Sequence, residues 1–361
     1  MVPLVKVSMP PRDMLMPALE ETLYSGVIAE GSKVYEFEAE FARHFKLPVA
    51  LGMSSGTAAL HASLVLAGVR PGDEVVSTPM TAEPTNLAIL HAGATPQWAD
   101  VNPDDGTIAP ESIRERITRK TRAIMVVHYA GYPARMNEIM QISRETGIPV
   151  IEDCAHALGA SYAGESVGRI GSYGVFSFQA IKHMTTVDGG ALVVKDQGQI
   201  QAAKKFRWLG LLKGASRIEA DITALGYKYN MHNVAAVIGL SQLAIIDRVI
   251  SQHVANGEFY DAKIKRISGL YPAAFDPLGR PTYWIYTLLC DDSDDAERRL
   301  REIGVTASKL HKPNCDHSIF RAIKRDLPGP DRFYRRLLHV PCGWWVSAET
   351  RQQIVDALKR G

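Results

Sequence analysis

The chain has 361 residues, 46% of them hydrophobic and 22% charged, and a formal net charge of +2. This length exceeds one ordinary hydrophobic core and implies two packed units, or one large unit with a smaller appendage. The near-neutral, ordinary composition argues against a chain built around nucleic acid or an acidic membrane surface. The most basic stretch, Arg114 to Arg122, contains Glu115 and precedes an apolar run, so it reads as a solvated helix end rather than a phosphate-steering patch. Cys154, Cys290, Cys315 and Cys342 lack the CxxC spacing of a zinc site or redox pair, so no metal is expected and a reduced, cytoplasmic setting fits. Residues 1–11 have no signal-peptide pattern, and no apolar run reaches membrane-spanning length.

In chain order, short apolar runs alternate with helical patterns, which predicts an α/β fold around a sheet. Strands are predicted at Val49–Gly52, Glu74–Thr78, Ala123–Val127, Pro149–Glu152, Gly174–Phe178 and Ala191–Val194. Between them, Thr57–Ala67, Asn137–Thr146 and Gly198–Leu209 read as helices. A long apolar helix, Ala235–Ile246, precedes a composition shift over Asp247–Asn256, and the domain boundary is placed there. Residues 1–246 then form the large unit and 247–361 a smaller α+β unit, with a strand at Tyr283–Leu289 and helices at Asp294–Ile303 and Glu349–Leu358.

Four segments carry chemistry. Gly52-Met53-Ser54-Ser55-Gly56 satisfies GxSxG at a strand-to-helix turn, so a serine hydrolase using Ser54 is one reading. Against it, few residues precede the turn to build an upstream sheet, and no HGGG-like oxyanion segment is present. The same loop also reads as a phosphate cradle. Ser55, Gly56 and Thr57 put small residues, backbone N–H groups and a hydroxyl at a helix N-terminus, although plain N-capping explains them too. GxGxxG, Walker and HExxH motifs are absent.

Pro149 to Glu152 is an apolar strand delivering Asp153 to a sheet edge, where open α/β folds place ligands. A carboxylate there can keep a pyridinium nitrogen protonated, and His156 is suited to a cofactor's phenolic oxygen or to an ordinary structural role. Gly174 to Phe178, with Ser177, leads to Lys182 in an uncharged loop that ends at Gly189-Gly190. Apolar surroundings depress an amine pKa, and a neutral amine is what Schiff-base chemistry requires.

This ordered set resembles the pyridoxal-phosphate (PLP) dependent fold-type I, or aspartate aminotransferase, superfamily. More narrowly, Ser55 to Leu60, Glu152 to Ala160, Ser177-Phe178 and Lys182 to Gly190 resemble the DegT/DnrJ/StrS sugar aminotransferases, with further likeness over Gly31–Phe41 and Gly226–Leu243. The resemblance implies a mixed, mostly parallel sheet flanked by helices and a ping-pong transamination. Glutamate is the implied donor and a nucleotide-linked deoxy sugar the acceptor, for lipopolysaccharide, other cell-surface polysaccharide or a glycosylated metabolite. By position, Lys182 would hold PLP as a Schiff base, Asp153 pair with the ring nitrogen, and Ser55, Gly56, Thr57 and Ser177 hold its phosphate. His156 stands where the family commonly has Gln.

The family is homodimeric, with the active site at the subunit interface, and a Gly-x-Asn-Tyr-Arg segment reaches the partner's phosphate site. Here that segment reads Gly226-Tyr227-Lys228-Tyr229-Asn230, which implies Lys228 at the phosphate and leaves Asn230 as a substrate contact. The family's aromatic loop over the ring becomes Pro79–Asn86 without an aromatic. His311 and His317, in a polar cluster of the smaller unit, are expected near the sugar. Relatives with His at the lysine position dehydrate sugars, and aldol cleavage by another PLP enzyme would share Lys182 and Asp153. A PLP-binding regulator would need a further DNA-binding part, for which this chain has no spare residues.

Overall fold

The computed structural model describes residues 1–323 and 326–360. Its largest sheet contains β1 (Ala50–Met53), β2 (Glu74–Ser77), β3 (Thr95–Trp98), β4 (Thr121–Val127), β5 (Val150–Asp153), β6 (Tyr173–Ser177) and β7 (Gly190–Val194). The spatial order is β1-β7-β6-β5-β4-β2-β3. Strands β2 to β6 pair in parallel, while β7 runs antiparallel to both β6 and β1. The sequence reads as short continuous apolar runs because these strands are covered on both faces. In β4, Ala123 and Met125 pack with one helical layer, whereas Ile124 and Val126 pack with the other.

The first layer comprises α3 (Gly56–Leu66), α4 (Glu83–His91) and α7 (Ile200–Arg207). The second comprises α2 (Ser32–His44), α5 (Pro110–Arg116), α6 (Met136–Thr146) and α8 (Asn233–Leu243), with α1 (Arg12–Tyr24) against α8. The mostly parallel order aims the ends of β1, β2, β5 and β6 at one edge.

The C-terminal part holds an antiparallel sheet of β8 (Leu270–Pro272), β9 (Tyr286–Cys290) and β10 (Leu337–Val340), with β9 central. Helices α10 (Ser293–Glu302) and α11 (Ala348–Leu358) supply Leu300, Ile354 and Val355 to its core. The apolar helix has other bounds than the sequence reading gave it. The apolar helix ends at Leu243, and α9 (Ile246–Ile264) starts at a 58° bend. The composition shift over residues 247–256 therefore lies inside a helix. Ile246 and Val249 pack with β1 and α2, while Tyr260 and Ile264 join the C-terminal core. Leu4 also joins that core, and Val2 bridges Val305. The strand expected from Tyr283 begins only at Tyr286, because Tyr283 takes a left-handed φ of 47°. No single helix among the described residues is long and apolar enough to cross a membrane.

One buried ionic group ties α2, β1 and α7 together. The Arg207 guanidinium, 2% exposed, pairs with Glu38 and Glu30 and donates to the Gly52 carbonyl at 2.8 Å. Glu38 in turn accepts from the Gly52 N–H at 2.8 Å, fixing both polar groups of the residue three before Ser55. Arg207→Ala would leave two buried carboxylates without their cation. It is expected to cost about 3–5 kcal/mol in chemical denaturation, whereas Glu40→Ala at an exposed pair should change stability by less than about 1 kcal/mol.

Candidate active site

The edge where β1, β2, β5 and β6 end opens into a cavity of about 350 Å³. Its lining includes Ser55, Gly56, Thr57, Asp153, His156, Ser177, Lys182 and His311, eight of the positions singled out from sequence. Ser55 caps α3 through its Oγ, which accepts from the Ala58 N–H at 3.0 Å. Capping and cradle are thus compatible: the first N–H groups of α3 still face the cavity edge with no intrahelical acceptor. Close approach explains Gly190, since a Cβ there would lie 2.6 Å from the Gly56 nitrogen.

Asp153 and His156 are each 3% exposed, and Lys182 is partly open to the cavity. Burial pulls the Lys182 amine down to about 7, with Asp153 opposing that fall. Burial also raises the Asp153 carboxyl, against hydrogen bonds from Thr85 Oγ1 at 2.8 Å and the Ala155 N–H at 3.1 Å. Burial keeps His156 neutral, helped by the positive charge of Lys182 nearby. Its Nδ1 accepts from the Ala130 N–H at 3.4 Å, so Nε2 carries the hydrogen, and that buried donor has no protein partner.

Sequence reasoning missed three groups here. Thr85 holds Asp153 and is itself hydrogen-bonded to Thr81 at 2.7 Å. Trp284 stacks on His156 with centroids 4.1 Å apart, and Lys182 Nζ lies 4.0 Å from its ring centre. Glu83, at the start of α4, faces two histidines: His311 at 3.5 Å and His317 at 3.6 Å. The Pro79–Asn86 loop, which lacks an aromatic, instead supplies these hydroxyls and this carboxylate. Asn314 locks it to the C-terminal part, taking Asn86 Nδ2 at 2.9 Å and donating to the Pro79 and Thr81 carbonyls at 2.7 and 2.8 Å.

Three predicted positions lie elsewhere. His317 reaches Glu83 but does not line the cavity. Lys228 is exposed, 5.7 Å from the Trp208 ring, and Asn230 donates to the Met231 carbonyl; neither lines this chain's own cavity. Their segment bridges to Met53 and Trp208, with Lys228 exposed and Asn230 half-buried. Ser54 is exposed and outside the lining, and no histidine among the described residues hydrogen-bonds to it. That removes the hydrolase arrangement.

His128, Glu152 and Cys154 form a buried group of metal-ligand types, but their donors are already engaged. Glu152 accepts from His128, Gly168 and Gly171, and burial holds the Cys154 thiol protonated.

Only the neutral amine attacks an electrophile. Labelling of Lys182 by trinitrobenzenesulfonate, followed by peptide mass spectrometry, is expected to rise with pH around a midpoint near 7.

The match to known proteins extends over nearly all of this framework. Residues 12–359 match the model of the DegT/DnrJ/EryC1/StrS aminotransferase family. The sugar aminotransferase CalS13 from Micromonospora echinospora superposes with a TM-score of 0.96 at 35% identity, covering 100% of both chains. The spore coat polysaccharide biosynthesis protein SpsC of Bacillus subtilis (strain 168) is 30% identical over 94% of this chain and 92% of its own. The PLP-form of Spr1654 from Streptococcus pneumoniae, a protein described as a putative sugar aminotransferase, superposes with a TM-score of 0.89 at 26% identity, over 98% of this chain and 97% of its own. With the fold, the cavity and its buried amine in agreement, the chain belongs to the DegT/DnrJ/EryC1/StrS aminotransferase family, whose enzymes are PLP-dependent and of fold type I.

Proposed function

We propose that this enzyme moves the amino group of glutamate to a keto group of a nucleotide-linked deoxy sugar. The product would enter a lipopolysaccharide, another cell-surface polysaccharide or a glycosylated metabolite. The observation that carries the reading is the cavity amine of Lys182, half neutral near pH 7 and facing the buried Asp153. Support for the acceptor class comes from CalS13, a sugar aminotransferase, and from SpsC, a polysaccharide biosynthesis protein.

The residues present fit PLP. Ser55, Gly56, Thr57 and Ser177 line the α3 end of the cavity and suit a dianionic phosphate. The orphan Nε2–H of His156 suits a phenolate oxygen, and the buried Asp153 carboxylate suits a protonated ring nitrogen. When bound, PLP supplies an electrophilic carbonyl and an electron-withdrawing ring.

The chain's own groups do the rest. Asp153, held by Thr85, keeps a proton at the ring nitrogen. Lys182 Nζ takes a proton from the donor's Cα and returns one to the sugar carbon being aminated. His311, paired with Glu83 at the cavity lining, orients the acceptor's hydroxyls. Lys228 and Asn230 serve the site of a partner copy in a homodimer. Two features support that assembly: both residues lie outside their own cavity, and the segment before them exposes Ile218, Ile222 and Leu225. Buried free thiols at Cys154, Cys290 and Cys342 suit a reducing, cytoplasmic setting.

Adding glutamate to the purified PLP-loaded enzyme is expected to replace the visible absorption band by that of pyridoxamine phosphate. Lys182→Ala should lose the response, and a wild-type band unmoved by glutamate would refute the donor assignment. His311→Ala is expected to raise the KM for a keto-sugar nucleotide about tenfold while leaving the glutamate half-reaction within about twofold. Unchanged sugar kinetics would remove His311 from the acceptor site.

A further inference from the structure

We propose that Trp284, contributed by the C-terminal part of the chain, is a positioning residue that holds the Lys182 amine and the His156 ring in register from beneath. The proposal rests on the assignment of Lys182 as the cofactor lysine. Three separate contacts converge on this one indole. Its Nε1–H donates to the Ile181 carbonyl at 2.9 Å, anchoring the residue before the lysine. Its π face lies 4.0 Å from Lys182 Nζ. It also stacks on His156 at 4.1 Å with planes 17° apart. The stack and the Ala130 N–H together leave His156 one orientation, with Nε2–H directed away from the backbone.

The indole is a fixed platform because its own backbone is pinned. The Thr282 N–H donates to the Gly131 carbonyl at 3.1 Å, and the Thr282 carbonyl accepts from His183 Nε2 at 3.1 Å. The Tyr283 carbonyl accepts from His253 Nδ1 at 2.9 Å and from the Cys342 thiol at 3.0 Å. Those contacts hold Tyr283 in its left-handed conformation, a placement that persists only where surroundings over-determine it. Gly131, at φ +100°, lets this segment close in: a Cβ there would sit 2.8 Å from the Trp284 nitrogen. No Phe, Tyr or other Trp ring lies over the Lys182 amine among the described residues.

An aromatic face favours an ammonium over a neutral amine, Trp more than Phe, and an aliphatic side chain offers no such preference. The other groups facing the amine are Asp153, His156, His183 and His311. They come from other parts of the fold, and of them His156 alone stacks on the indole. Replacing the ring by an aliphatic side chain keeps the site dry while removing the preference for the cation, so the lysine should titrate lower.

The experiment is competitive labelling of Lys182 against pH on the full-length cofactor-free protein, with far-UV circular dichroism as the folding check. Trp284→Leu and Trp284→Met are expected to lower the Lys182 midpoint by ~0.5–1 unit, and Trp284→Phe by less, in the same direction. Trp284→Phe is the mildest change and carries the test if the aliphatic variants do not fold. A midpoint that stays in place or rises in the folded variants overturns the proposal, as would an equal shift in Phe and Leu variants. The reading of Lys182 as cofactor lysine is tested separately, by whether wild-type protein loses Lys182 labelling on adding PLP. That assignment can fail while the Trp284 shift stands, and the reverse.

Discussion

The structure turns on the exclusion of water from an amine and a carboxylate that share one cavity. Desolvation acts on both in opposite senses, lowering Lys182 and raising Asp153, while their mutual attraction limits each shift. The balance leaves an amine held near 7 beside a buried carboxylate whose pKa is raised. Nearly everything around the pair serves to keep it dry and still: Thr85 and the Ala155 N–H on Asp153, the Trp284 face beneath Lys182, and the Asn314 clamp on the loop above.

The side of the cavity lined by Ser55, Asp153, Ser177 and Lys182 was legible in the sequence because it is written locally. Ser55, Asp153, Ser177 and Lys182 each sit at or just past the end of a short apolar strand, and parallel strands aim such ends at one edge. The groups that sequence missed act across long separations. Thr85 meets Asp153 from 68 positions away, and the Trp284 indole meets Ile181 from 103. Neither contact leaves a local pattern. Lys228 and Asn230 were legible as a segment, but their place outside this chain's own cavity becomes visible only in the folded chain.

The expected boundary falls at the start of α9, whose pattern has a simple physical reading. Arg248, Ser251 and Gln252, which contribute to the composition shift, form the wet stripe of α9. Ile246, Val249, His253, Tyr260 and Ile264 form the buried stripe at helical spacing. Because that stripe enters two cores in succession, α9 is a shared strut and not a tether. The His183 and His253 contacts with residues 282–283 add a second rigid connection beside the lysine.

The docking of the first residues has a consequence for the order of assembly. Val2 exchanges backbone hydrogen bonds with Gly304 and Thr306, and Leu4 is buried in the C-terminal core. On a ribosome that adds roughly 5–20 residues per second, these earliest residues emerge long before their acceptor strand exists. The C-terminal core therefore combines Leu4 with residues far later in the sequence and closes only after those have been made. Trp284, which belongs to that core, reaches Lys182 only then, so the lysine loop is translated well before its platform arrives.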